Sequence, residues 1–256
     1  MKNFCFTIDD NIRFLQEINE NKPESLFLHP YLSLLKDLHE EYDVKIQLNL
    51  FYENTSFSLA NMTTRYKKEW KSCAEWLKLS FHSAKETVRP YENAGYDRVF
   101  ADCNTVKKQI IRFAGEESLG KTSTIHYCAV TESGLSALKA CGIMGLLGLY
   151  GTKEFPKTSY SCSDEYGDKA RSGEIIGYGG LFFSGIDIIL NNFSPEEIRN
   201  YLSKIINRTF IKIMIHEQYF YSDWHHFEAD YKERIVSAIK LLRDKGFNSV
   251  FFEEML

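Results

Sequence analysis

Asn3-Phe4-Cys5-Phe6-Thr7-Ile8-Asp9-Asp10-Asn11 is the stretch on which the fold turns. Asn3–Ile8 has the apolar, β-favouring character of a short buried strand, and it ends in two adjacent carboxylates. Acidic groups at the tip of an apolar strand are costly to bury. They need a cation, a hydrogen-bond network or open solvent.

The same order of strand, polar rim and helix recurs downstream. Pro30–Tyr42 places Tyr31, Leu34, Leu35 and Leu38 at helical spacing, and Val44–Tyr52 alternates at its start like a strand. Thr63–Cys73 is a polar helix with Tyr66 and Trp70. A third strand, Leu77–Phe81, delivers His82, and Val99–Phe113 forms an amphipathic helix stopped by Gly115. Ser123–Val130 is a fourth strand carrying His126, followed by a helix over Glu132–Cys141 that Gly142 caps. Ile143–Tyr150 and Leu181–Leu190 supply the next strands. Ser194-Pro195-Glu196-Glu197 opens a helix with a capping serine, a proline at its first position and acids in its first turn. Phe210–Ile215 delivers His216, a helix spans about Phe227–Lys245, and Asn248–Phe252 is a possible eighth strand. Residues 151–180 break the order. Rich in Gly, Ser, Tyr and charge, they suggest an inserted loop or hairpin over the functional face.

Repeated β-α units without a break in composition predict one α/β domain over residues 1–256, a distorted (β/α)7-8 barrel with parallel strands. An open doubly wound sheet is the alternative, but no glycine-rich phosphate loop follows the first strand. In a barrel, residues just past the strand C-termini converge on one face. Asp9, Asp10, His82, His126, Asp187 and His216 all fall at or near such ends.

Composition narrows the partners. With 44% hydrophobic and 26% charged residues, the chain has the makeup of a globular domain with a full core. A net charge of −4 without a basic stripe argues against nucleic acid. No apolar run approaches the roughly 18 residues that span a bilayer, so no membrane partner is expected. The chain enters its first strand without a basic and apolar leader, and a cytoplasmic location is expected. The six cysteines are scattered without a Cys-x-x-Cys pair and are expected to be reduced core thiols. Oligomeric state is not legible.

Carboxylates and imidazoles drawn from separate strands suit Zn²⁺ or a similar divalent metal. A carboxylate beside such a metal could take a proton from water, and a histidine opposite could protonate a leaving group. Three short motifs then resemble those of a known family. Thr7-Ile8-Asp9-Asp10 looks like the T-F-D-D motif of the polysaccharide deacetylases, the NodB-like carbohydrate esterases; Phe81-His82-Ser83 resembles the start of their H-S-x-x-H motif; Met214-Ile215-His216 is similar to their L-x-H motif. The resemblance implies a divergent member: a hydrolase that removes N- or O-acetyl groups from a carbohydrate with a divalent metal, most simply Zn²⁺. It further implies Asp9 as general base, Asp10 and His82 as metal ligands and His216 as general acid. The family's second histidine is Glu86 here, so Glu86 or His126 is the third ligand. The R-x-P-Y and D-x-x-x-W motifs are not matched in place: Asp187 lies on a suitable strand, but residue 191 is Asn.

Asp187, together with Glu217, Tyr219 and Trp224 from the polar and aromatic cluster after His216, is expected to bind the sugar, since rings stack on pyranose faces. His225-His226 reads as a surface turn, because neighbours in a helix face different ways. Two alternatives keep the barrel: a saccharide-binding protein whose metal triad has decayed, and a metal-free glycoside hydrolase pairing Asp9 with Glu217 or Glu253.

Overall fold

The structure, a computed structural model, describes residues 1–150, Tyr160 and 164–256. Its centre is β1 (Lys2–Asn11), which is long enough to pair with three neighbours. Parallel ladders join it to β2 (Ile46–Phe51), β9 (Phe210–His216) and, at its N-terminal end, β10 (Phe247–Ser249). Beyond β2 lies β3 (Leu77–Ser83), and beyond β9 lies the short β8 (Ile188–Ile189), both parallel. A second sheet runs β4 (Thr122–Ser123), β5 (Gly145–Gly148), β7 (Leu181–Gly185) and β6 (Ile176–Tyr178), the last antiparallel. Helices α1 (Arg13–Asn21), α2 (Pro30–Tyr42), α3 (Lys67–Ser72), α4 (Tyr96–Phe113), α5 (Glu132–Ala140), α6 (Asp164–Arg171), α7 (Pro195–Ile205) and α8 (Tyr231–Asp244) complete the repeat.

Side chains stitch the two sheets into the distorted barrel. Between β3 and β4, Ser80 Oγ donates to the Thr122 carbonyl at 2.7 Å, Ser123 Oγ donates to that of Phe81, and Gly120 N donates to that of Leu79 at 2.8 Å. Opposite, the chain runs from β7 directly into β8. There Ile186 N donates to Gly148 O and Asp187 N to Lys212 O. The single strand expected over Leu181–Leu190 is therefore two, broken where the chain passes between sheets.

Strand alternation sorts residues inside from outside. Phe4, Phe6 and Ile8 join the main core with Leu35, Val106, Ile198 and Ile239 from the helices. Cys5, Leu147 and Phe210, from β1, β5 and β9, form a separate cluster with Phe252. Strands of both sheets contribute to it, so it plugs the barrel interior. Asp187 lies on the seam, its carboxylate accepting from Lys212 Nζ at 2.9 Å and from Arg208, with Lys212 fully buried.

The fourth strand is shorter than Ser123–Val130: it stops at Ser123, and His126 follows in an irregular turn. In the 151–180 segment, residues 151–159 and 161–163 lie outside the described residues. The rest is not simply a loop or hairpin: α6 precedes the β6–β7 hairpin, which pairs Ile176 with Phe183. Helix α7 starts at the expected capping serine, and Ser194 and Glu197 close a capping box there. Among the described residues, no helix is long and apolar enough to cross a membrane.

Helix α1 starts without a capping side chain of its own. Glu217, just past the end of the neighbouring strand β9, supplies the cap, accepting from Ile12 N and Phe14 N at 2.7 Å, Arg13 N at 3.2 Å and Tyr221 Oη at 2.8 Å. Burial pushes the Glu217 carboxyl up to about 7, against the pull of these donors. The folded chain thus keeps a proton that the unfolded chain releases near pH 4.5. The associated stability is full below pH 4.5 and is lost as pH rises through about 7. Urea unfolding of Glu217→Gln is expected to flatten this fall between pH 4.5 and 7; an unchanged slope would contradict it.

Candidate metal centre

Adjacent residues of a strand point to opposite faces, yet Asp9 and Asp10 both line one cavity. Asp10 adopts φ 62°, and the register of β1 with β2 shifts between Ile8 and Asn11. Aspartate tolerates this left-handed conformation better than most residues. The kink turns Asp10 back beside Asp9. A similar break follows His126, where Tyr127 and Cys128 take φ 61° and 52°. Such outliers are costly and concentrate at functional sites.

The cavity, about 310 Å³, also has His82, Glu86, Thr124, His126, Tyr127, Leu149, Ile189, Met214, His216, Gln218 and Tyr219 in its wall. Within it, Asp10 Oδ1 lies 2.9 Å from His82 Nε2 and 3.2 Å from His126 Nδ1, and the two ring nitrogens are 3.1 Å apart. One donor atom from each residue lies within 4.8 Å of the other two. Donors about 2.0–2.1 Å from a tetrahedral zinc would lie about 3.3 Å apart.

The chemistry of these donors suits a cation. His82 Nδ1 donates to the Thr124 carbonyl, so a neutral His82 turns the lone pair of Nε2 toward the Asp10 carboxylate. Two lone pairs 2.9 Å apart repel unless a second ring proton or a metal ion lies between them. A backbone carbonyl holding the far ring nitrogen is the usual support of a metal-bound histidine. Gln218 Nε2 occupies the other Asp10 oxygen at 2.8 Å. Burial pushes the Asp10 carboxyl up, but the two histidines outweigh it and hold the group well below the usual carboxylate range. Burial opposes charge on both rings. Asp9 and Asp10 nevertheless push His82 up, whereas His126 stays lowered.

Asp9 and His216 face each other in register across β1 and β9. Asp9 is 2% exposed, and burial raises its pKa against the pull of His82, His216 and Asn49. Asn49 Nδ2 donates to Asp9 Oδ1 at 2.6 Å, while Asn49 Oδ1 accepts from Gln47 Nε2 at 2.9 Å. Gln47 is fixed in turn, donating to the Thr122 carbonyl and accepting from Thr122 Oγ1. This buried relay sets which end of the Asn49 amide meets Asp9. On the other side, Asn191 Nδ2 donates to Glu228, and its Oδ1 accepts from His216 N and Nδ1, both at 2.9 Å. His216 therefore carries its proton on Nδ1 and leaves Nε2 for the cavity.

The expected site residues divide. Asp9, Asp10, His82, His126, His216 and Tyr219 meet at the cavity. Glu86 is exposed on its wall and is not part of the three-residue cluster. Asp187, Glu217 and Trp224, expected at the sugar, do not line it. Asp187 is held in ion pairs with Lys212 and Arg208, Glu217 caps α1, and Trp224 packs at a tilt against the ring of His225. Asn49, Asn191 and Gln218 were not anticipated; their one sequence signal is an amide on or just past a strand that otherwise reads as core.

No protein-family model and no curated protein matches the chain. Solved structures match it along nearly its whole length. A peptidoglycan N-acetylglucosamine deacetylase, Bc1960, aligns with 99% of this chain and 87% of its own at 14% identity, TM-score 0.56. A family 4 acetyl xylan esterase from Clostridium thermocellum, solved with a cobalt ion, aligns with 99% and 90% at 13% identity, TM-score 0.55. A 4-α-glucanotransferase from Thermococcus litoralis reaches TM-score 0.60 at 14% identity, with 99% of this chain spanning 40% of that one. At these identities the likeness is one of fold: this chain shares the barrel of these carbohydrate-active enzymes.

Equilibrium dialysis against Zn²⁺ distinguishes the two candidate third ligands. His126→Ala is expected to weaken binding by about a hundredfold or more, and Gln218→Ala by about 10–100-fold. Glu86→Gln should leave it nearly unchanged. The reverse order for His126 and Glu86 would move the third ligand to Glu86.

Proposed function

We propose that this protein is a metal-dependent hydrolase that removes an N- or O-acetyl group from a carbohydrate. The observation that carries the proposal is the convergence of Asp10, His82 and His126 beside the facing pair Asp9 and His216. Similarity of the barrel to solved deacetylases and esterases, one of them holding cobalt, supports it.

A divalent ion on the three donors, most simply Zn²⁺, would polarise an acyl carbonyl and acidify a water molecule. Asp9, raised by burial and steadied by Asn49, takes the proton from the attacking water. His216, its Nδ1–H committed to Asn191, presents Nε2 to the leaving nitrogen or oxygen and protonates it from its charged form. Leu149, Ile189 and Met214 give the acyl methyl an apolar wall. Tyr127, 49% exposed at the rim, and Tyr219 offer ring faces to a pyranose.

The metal-free glycosidase route loses its second carboxylate. Glu217 is committed to α1 and Glu253 Oε2 to Lys121 N, and neither lines the cavity. A binding protein without turnover would hold the same glycans and release no acetate.

Acetate release from N-acetylated chito-oligosaccharides and from acetylated xylan tests the proposal. Metal-loaded protein should release acetate from at least one of them. Asp9→Asn should lower kcat by about 10²–10⁴-fold while retaining the metal. No release from either substrate by metal-loaded protein would reject the proposal.

A further inference from the structure

We infer that Cys103 and Cys141 form an oxidisable dithiol, a modification site separate from the metal centre. The two residues are 38 positions apart in sequence and stand on different helices, Cys103 within α4 and Cys141 at the C-cap of α5. Packing of α4 against α5 brings them together. Cys141 Sγ lies 3.6 Å from the carbonyl oxygen of Phe100, one turn before Cys103 on α4. Both residues line one cavity of about 210 Å³, bounded as well by Lys107, Glu116 and Lys121. The thiols are buried, 1% and 5% exposed, so the cavity is the route by which a small oxidant reaches them.

The surroundings divide the labour of the pair. The neighbouring thiols act on each other unequally, which raises Cys103 and lowers Cys141. Lys107 follows Cys103 by four residues and thus shares its helix face. Its ammonium group donates to the Cys141 carbonyl at 2.9 Å and favours the thiolate. Cys141 is therefore the attacking sulfur and Cys103 the resolving one. With a peroxide as oxidant, the Cys141 thiolate attacks one oxygen, the O–O bond breaks, and hydroxide leaves to become water. The Cys103 sulfur then attacks the resulting sulfenic acid. The S–S bond forms, the S–O bond breaks, and a second water departs with the thiol's proton. Two thiols give up two electrons, and one peroxide becomes two waters. The product ties α4 to α5. The other described cysteines, Cys5, Cys73 and Cys128, are also buried, and burial pushes each thiol up, away from the reactive thiolate.

The test uses the reduced chain as a whole. It is treated with hydrogen peroxide while folded, then unfolded, alkylated and mapped by peptide mass spectrometry. The expected result is a peptide pair joined through Cys103 and Cys141, lighter by two hydrogens than the separate peptides and released by dithiothreitol. A second arm treats the folded chain with diamide, which draws on the same two thiols and should yield the same pair. Recovery of Cys103 and Cys141 as free alkylated thiols under both oxidants, or a link from either to a different cysteine, would overturn the inference. Neither arm requires a variant to fold.

Discussion

A carboxylate and two imidazoles turned toward one point inside a protein hold together only if shared ring protons or a cation keep their lone pairs apart. That constraint organises this chain. Asp10, His82 and His126 come from three parts of the sequence and meet at hydrogen-bonding distances. Their supports leave little freedom. Thr124 takes the one proton a neutral His82 can give, Gln218 takes the outer oxygen of Asp10, and Phe51 packs its ring against both imidazoles. The left-handed turn at Asp10 is the backbone cost of this meeting. The barrel sustains it because β1 is held by parallel neighbours along its length.

Around this centre, orientation comes mainly from neutral amides. Asn49 holds Asp9, Asn191 holds His216 and Gln218 holds Asp10, and the first two are fixed by groups whose hydrogen-bonding sense cannot change. A backbone carbonyl sets Gln47 and hence Asn49; a backbone N–H and a carboxylate set Asn191. Amides position a base or an acid without adding charge, so the electrostatics of the cavity are set by Asp9, Asp10 and the histidines themselves. Full charges sit elsewhere in the fold, with Lys212 and Asp187 at the seam between the sheets.

Much of the frame was legible because strand ends carry a simple signal. An apolar run followed by Asp or His pointed to Asp9, Asp10, His82 and His216 on one rim, and the fold places them there. His126 was harder: it was expected on a strand that stops short at Ser123, and a turn with two left-handed residues delivers it instead. Asn49 carries little signal in the sequence because polar residues alternating with Ile46, Leu48 and Leu50 look like a solvent-facing edge. In a barrel the second face is the interior, and every residue of β2 is buried. Glu217 shows the opposite failure. Beside His216 and among aromatic residues it has every mark of a sugar ligand, and only the three-dimensional fold shows that it caps α1. Helix α1 itself begins on that borrowed cap, which no local pattern announces.

X-ray absorption spectroscopy of the zinc-loaded protein examines the centre most directly. The account predicts a first shell of nitrogen and oxygen with the outer-shell scattering of two imidazoles, and a shell that loses one imidazole in His126→Ala. A site with a sulfur neighbour, with a single imidazole, or unchanged by His126→Ala would contradict it.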